Sequence, residues 1–74
     1  RQETTLEYSL PERQEVRVEL YDVMGRRIRV LVDAKQRAGF HRVQWRPRSL
    51  ASGVYFARLT SGAATRTERL VVVR

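Results

Sequence analysis

The chain reads as all-β, an antiparallel Ig-like β-sandwich of about six to seven short strands. Three observations predict it. Apolar and polar residues alternate with a period of two in most segments. Turn-forming residues punctuate those segments at short intervals, as they do in sandwiches. No stretch keeps a helical period beyond two turns.

Residues 4–10 (TTLEYSL) form the first predicted strand, stopped by Pro11. In residues 15–23 (EVRVELYDV), Val16, Val18 and Leu20 alternate with Arg17, Glu19 and Tyr21, the signature of a half-buried strand. Met24-Gly25 follows, and glycine supplies the positive φ of a tight turn. Asp22 stands where its carboxylate can cap backbone N–H groups of that turn. Residues 26–32 (RRIRVLV) return as the second arm of a hairpin, with Ile28, Val30 and Val32 predicted on one face. Residues 33–39 (DAKQRAG) are polar, end in Gly39 and are predicted as a loop.

Alternation resumes in residues 41–46 (HRVQWR), which puts Val43 and Trp45 on one side, Trp45 as a core centre, until Pro47 removes a backbone donor. Residues 48–52 lead to Gly53. After it, VYFARLT over residues 54–60 places Tyr55, Ala57 and Leu59 on one face and Val54, Phe56 and Arg58 on the other. Ser61-Gly62 marks a turn, and residues 63–74 form the last strand. Its run Leu70-Val71-Val72-Val73 cannot all point inward from a one-sided sheet. Either both faces are covered there, or the edge awaits a partner.

At 74 residues the chain is one domain. A chain this short buries only about 60 % of its unfolded surface, which leaves no interior to spare for a catalytic cavity. Arg1 rather than Met begins it, and residues 1–74 are read as a domain excised from a longer protein. With no cysteine, disulfides and thiolate metal sites are impossible. No apolar run approaches the ~18 residues of a membrane span.

The net charge is +7, from fourteen Arg and one Lys (Lys35) against eight acids. That balance permits attraction to anionic surfaces. Arg26, Arg27, Arg29, Arg46 and Arg48 form the candidate anion patch. Several basic residues, Arg17, Arg29 and Arg58 among them, sit between apolar neighbours, as on the wet face of a sheet. Nucleic-acid binding needs exposed aromatics among the basic residues, and here Trp45 and Tyr55 occupy strand positions that packing explains, so nucleic acid is not an expected partner.

Catalytic and cofactor chemistry find little support. His41 is the single histidine and is read as structural. Ser52, His41 and Asp33 could be assembled on paper as a nucleophile set, but no G-x-S-x-G elbow is present. Asp22 and Asp33 match no calcium-loop spacing, and no Gly-rich phosphate loop exists. The expectation is a non-enzyme with no cofactor and no metal.

Several segments occur in a recognisable order: LEYSLPE (6–12), VELYDVMGR (18–26), Leu31-Val32, AGFH (38–41), VQW (43–45) and SGVYF (52–56). Together they cover nearly the whole chain, which resembles the type A C-terminal sorting domain of the type IX secretion system. It is also similar to the Ig-like domain of flagellar hook-capping proteins. The short segment between Trp45 and Gly53, and a chain that ends directly after its last strand, favour the sorting domain.

The resemblance implies a C-terminal module on an exported cargo, a hydrolase or adhesin. Such a module passes through the periplasm and is captured by an outer-membrane translocon. In many relatives a sortase then removes it and joins the cargo to anionic lipopolysaccharide at the cell surface. Carried onto this chain, the recognition positions are Asp22, Gly25, Arg26, Gly53 and Tyr55, with the tail Arg69, Leu70, Val71, Val72, Val73 and Arg74. Departures are Arg46, where Asp commonly follows the Trp, and Arg66, Arg69 and Arg74, where relatives often carry Lys. The usual NPFNP-like lead-in is absent. The alternative reading is a passive Ig-like module that is structural or binds carbohydrate or an anion.

Overall fold

The computed structural model describes residues 4–46 and 50–73. Pro47, Arg48 and Arg74, on which a strand stop, part of the anion patch and the end of the tail were placed, lie outside the described residues. Six strands follow in order: β1 (Thr4–Leu10), β2 (Gln14–Asp22), β3 (Arg27–Gln36), β4 (Gly39–Trp45), β5 (Gly53–Ser61) and β6 (Ala64–Val72). They form two antiparallel sheets, β1-β4 and β3-β2-β5-β6. This is the all-β sandwich that the two-residue period predicts.

Period-two alternation decides what goes inside. Val16, Val18 and Leu20 of β2 are fully buried, and Tyr55, Ala57 and Leu59 of β5 are buried beside them. Leu6, Tyr8 and Leu10 of β1 close over them. Two apolar clusters result. One gathers Leu6, Tyr8, Leu10, Val16, Val18 and Leu59. The other gathers Leu20, Tyr55, Ala57 and Val72, with Trp45, Leu50 and Leu70 packed against it. Trp45 is therefore a half-buried flank rather than a core centre, because the small sheet ends at that residue.

Strand β3 departs from expectation twice. It continues through Asp33–Gln36, a segment expected to be loop, because Gln14, Glu15, Val16 and Arg17 pair with it there. Its inward face also differs. The register with β2 shifts between Val18 and Glu19, and again between Leu20 and Tyr21. Each shift passes over one β3 residue, Leu31 and then Ile28, and so reverses the parity of the side chains. Of the predicted face only Val32 packs on the core, joined by Leu31, while Ile28 and Val30 are 39 % and 43 % exposed.

The two hairpins have different turns. Between β5 and β6, Gly62 takes φ +59°, the conformation required at the first position of a type II′ turn. A Cβ there would lie 3.0 Å from Gln14 Oε1. Between β2 and β3 the chain needs four residues, 23–26, and a side chain holds them.

Candidate recognition surface

That side chain is Asp22. Its Oδ1 accepts from the backbone N–H of Met24 at 2.9 Å and of Arg26 at 3.0 Å, and its Oδ2 accepts from Arg26 Nε at 3.0 Å. The Gly25 amide donates to the Asp22 carbonyl at 3.0 Å, with Gly25 at φ +82°. The Arg26 amide bond, followed by the Met24 amide and the Arg26 guanidinium, holds the Asp22 carboxyl below the usual carboxylate range against a smaller desolvation effect. So the D-x-x-G-R element is a self-contained turn in which the carboxylate, the glycine and the arginine each satisfy another member.

The second motif, SGVYF, enters β5. Tyr55 is buried, and its hydroxyl donates to the Ala51 carbonyl at 2.7 Å, which ties the approach segment to the core. Gly53 pairs with Val72, so this motif and the tail meet in the same cluster.

In the tail, Leu70 and Val72 face the core while Val71 and Val73 are 56 % and 62 % exposed. The run of four thus splits by alternation, and its outward half is uncovered. β6 is an edge strand, and among the described residues it pairs only with β5. Its first half differs: Arg66 lies opposite Leu59 and donates from Nη2 to the Glu7 carbonyl of β1 at 2.8 Å, and Glu68 pairs with Arg66 at 3.5 Å.

The sequence-derived anion patch is divided by the fold. Arg26 is engaged in the Asp22 turn, and Arg27 donates to Glu19 Oε2 at 3.1 Å on the outer face of the large sheet. Arg29 lies opposite Leu20 on the inner side, its guanidinium 5.9 Å from the centre of the Trp45 ring. Arg46 is exposed just after β4.

A different basic group assembles instead. Arg17, Arg27 and Arg58 surround Glu19, whose side chain is only 6 % exposed, at 3.9, 3.1 and 3.9 Å. Arg58 also stacks on Tyr21, 4.6 Å from the ring centre, and donates to its hydroxyl. Spacing along the chain could not reveal this group, because β2, β3 and β5 meet only through their register. The one available signal was Glu19 at an outward position between Arg17 and Tyr21.

Two of the residues considered for catalysis have structural partners. His41 Nε2 lies 2.8 Å from the Arg37 carbonyl and its ring stacks on Tyr8. Asp33 faces Arg17 at 3.9 Å on the large sheet. Among the described residues, no three carboxylate or imidazole groups converge as metal ligands.

The chain is thus a small β-sandwich with a side-chain-locked hairpin and an exposed edge strand. The family model described as a secretion system C-terminal sorting domain matches residues 2–73, nearly the entire chain, and the protein belongs to that family. No curated protein and no solved structure matches the chain significantly.

Proposed function

We propose that the chain is a C-terminal sorting signal that directs an N-terminal cargo through the type IX outer-membrane translocon to the cell surface, acting by recognition and not by catalysis. Family membership supports this reading at its coarse level. The observation that carries the finer one is the alternation within β6. Leu70 and Val72 anchor the tail, while Val71 and the open strand edge remain available. A receptor strand added there gains main-chain hydrogen bonds for affinity and alternate side-chain contacts for specificity. The Asp22–Gly25–Arg26 turn and the Gly53–Tyr55 entry hold the framework that presents this edge. Transit through the periplasm, removal by a sortase and transfer of the cargo to lipopolysaccharide are further parts of the proposal, which the resemblance implies.

The test fuses the 74 residues to a reporter in cells with a type IX system. The variant V71K/V73K puts lysines on the outward side of the edge and leaves the two core anchors in place. Secretion is expected to fall by about tenfold or more, the equivalent of one good interface contact, with the circular dichroism unchanged. Full secretion of the folded variant would overturn the edge-docking reading.

A further inference from the structure

The outer face of the four-stranded sheet is covered by nothing else in the described chain, and register arranges its residues in rows. Arg27–Tyr21–Phe56–Arg69 form one row, Val30–Glu19–Arg58–Thr67 the next, and Asp33–Arg17–Thr60–Thr65 the third. Val54 and Val71 lie beside the first row, at the β5-β6 end. Four guanidinium groups (Arg17, Arg27, Arg58 and Arg69) stand against two carboxylates (Glu19 and Asp33), leaving a net charge of +2. A shallow groove of about 290 Å³ runs along the face, with Tyr21, Val23, Phe56, Arg58 and Thr67 among its walls.

Glu19 organises the cations without consuming them. Only Arg27 is within hydrogen-bonding distance of it, while Arg17 and Arg58 stand at 3.9 Å. Each guanidinium carries five donors, and one carboxylate cannot satisfy three such groups. The Arg17, Arg27 and Arg58 side chains keep 52 %, 53 % and 46 % of their surface exposed. The carboxylate therefore acts as a pedestal that holds arginines on a flat face with most of their donors uncommitted. Beside them lie Tyr21, Phe56, Val54 and Val71, and aromatic residues with arginine are the composition that protein interfaces favour.

We infer that this face is a second docking surface, for a protein partner that presents an apolar centre bordered by carboxylates. The inference rests on the sorting reading, and it assigns to that partner's acidic rim the pairing with Arg17, Arg58 and Arg69. An acidic protein surface fits better than a polyanionic saccharide, because the aliphatic Val54 and Val71 offer a saccharide neither a hydrogen bond nor a ring to stack on. Rim charges of this kind set encounter rate and salt dependence.

The experiment neutralises R17Q/R58Q/R69Q in the reporter fusion and retains Arg27, so that buried Glu19 keeps its hydrogen bond. A control, R13Q/R37Q/R42Q, removes the same charge elsewhere. The first variant is expected to lose secretion by about tenfold, and the control to secrete as the parent does. Unchanged secretion of the folded first variant, or equal loss in the control, overturns the inference. So does loss of binding to lipopolysaccharide vesicles in parallel with secretion, which would assign the face to a glycolipid. Should the triple variant lose its fold, R17Q and R69Q singly take its place, each expected to lower secretion about threefold, and full secretion of both would overturn it. The arginine variant separates the two claims, which share Val71: loss in V71K/V73K with full secretion of R17Q/R58Q/R69Q removes this surface and leaves the edge, whereas loss in R17Q/R58Q/R69Q with full secretion of V71K/V73K removes the edge and leaves this surface resting on its arginines.

Discussion

Strands β3 and β6 both border the four-stranded sheet, yet β3 carries two bulges and an inward-side arginine, whereas β6 keeps an unbroken register with β5 from Ser61↔Ala64 to Gly53↔Val72. Bulges and inward charges are the devices by which natural sheets stop strangers from pairing at an edge. β3 has both, together with Asp33 and Lys35 along its length. β6 has no bulge, and its inward charges, Arg66 and Glu68, stop before Leu70. The difference teaches where this small sandwich is closed to other chains and where it is open.

Both edges pair through the central strands β2 and β5, and the largest effect comes from a cavity in β2. Leu20 is fully buried in β2, between the two outer strands. L20A is expected to cost about 2–5 kcal/mol, a large part of the stability of so small a domain. Chemical denaturation should show both halves of the sheet melting together. Separate transitions for β3 and β6 would break the comparison at its root.

Next comes Glu19, the carboxylate beneath three arginines. E19A is expected to cost about 1–3 kcal/mol, because it removes a charge-assisted hydrogen bond and leaves the guanidinium groups facing one another. Added salt should recover part of that loss by screening the repulsion. A loss independent of salt would mean that Glu19 acts through packing alone.

On the guarded edge, Arg29 keeps a cation on the inner side of β3. R29V removes the inward-side cation and its contact with Trp45, worth about 0.5–1 kcal/mol. It also makes β3 more like β6. Sedimentation should show the variant self-associating more than the parent. An unchanged monomer would assign the protection of β3 to its bulges.

The smallest effect concerns the Asp22 turn. Its carboxyl is held below the usual range by bonds made only in the folded chain. The stabilisation is therefore complete above the unfolded pKa, about 4, and disappears as pH falls through the lower folded value. The parent should lose stability across that acidic window more steeply than D22N, which has no proton to take up there.

The sequence carried most of this fold in its period of two. It located all six strands, the inward face of β2 and β5, and the capping role of Asp22. It misjudged β3, because a bulge adds one residue without any sign in composition and reverses every side chain beyond it. The polar stretch Asp33–Gln36 looked like loop because an edge strand exposes both faces in part. The turn contacts of Asp22 were legible because they lie within one short segment. The arginines around Glu19 come from three strands, and pairing register alone brings them together.

Matched substitutions on the two edges separate them in one assay: V71K on β6 and I28K on β3, each in the reporter fusion, with secretion measured beside the parent. The β6 variant is expected to stay folded and lose export, and the β3 variant to be exported normally. Normal export of the β6 variant, or equal loss from both, would contradict the edge-docking reading.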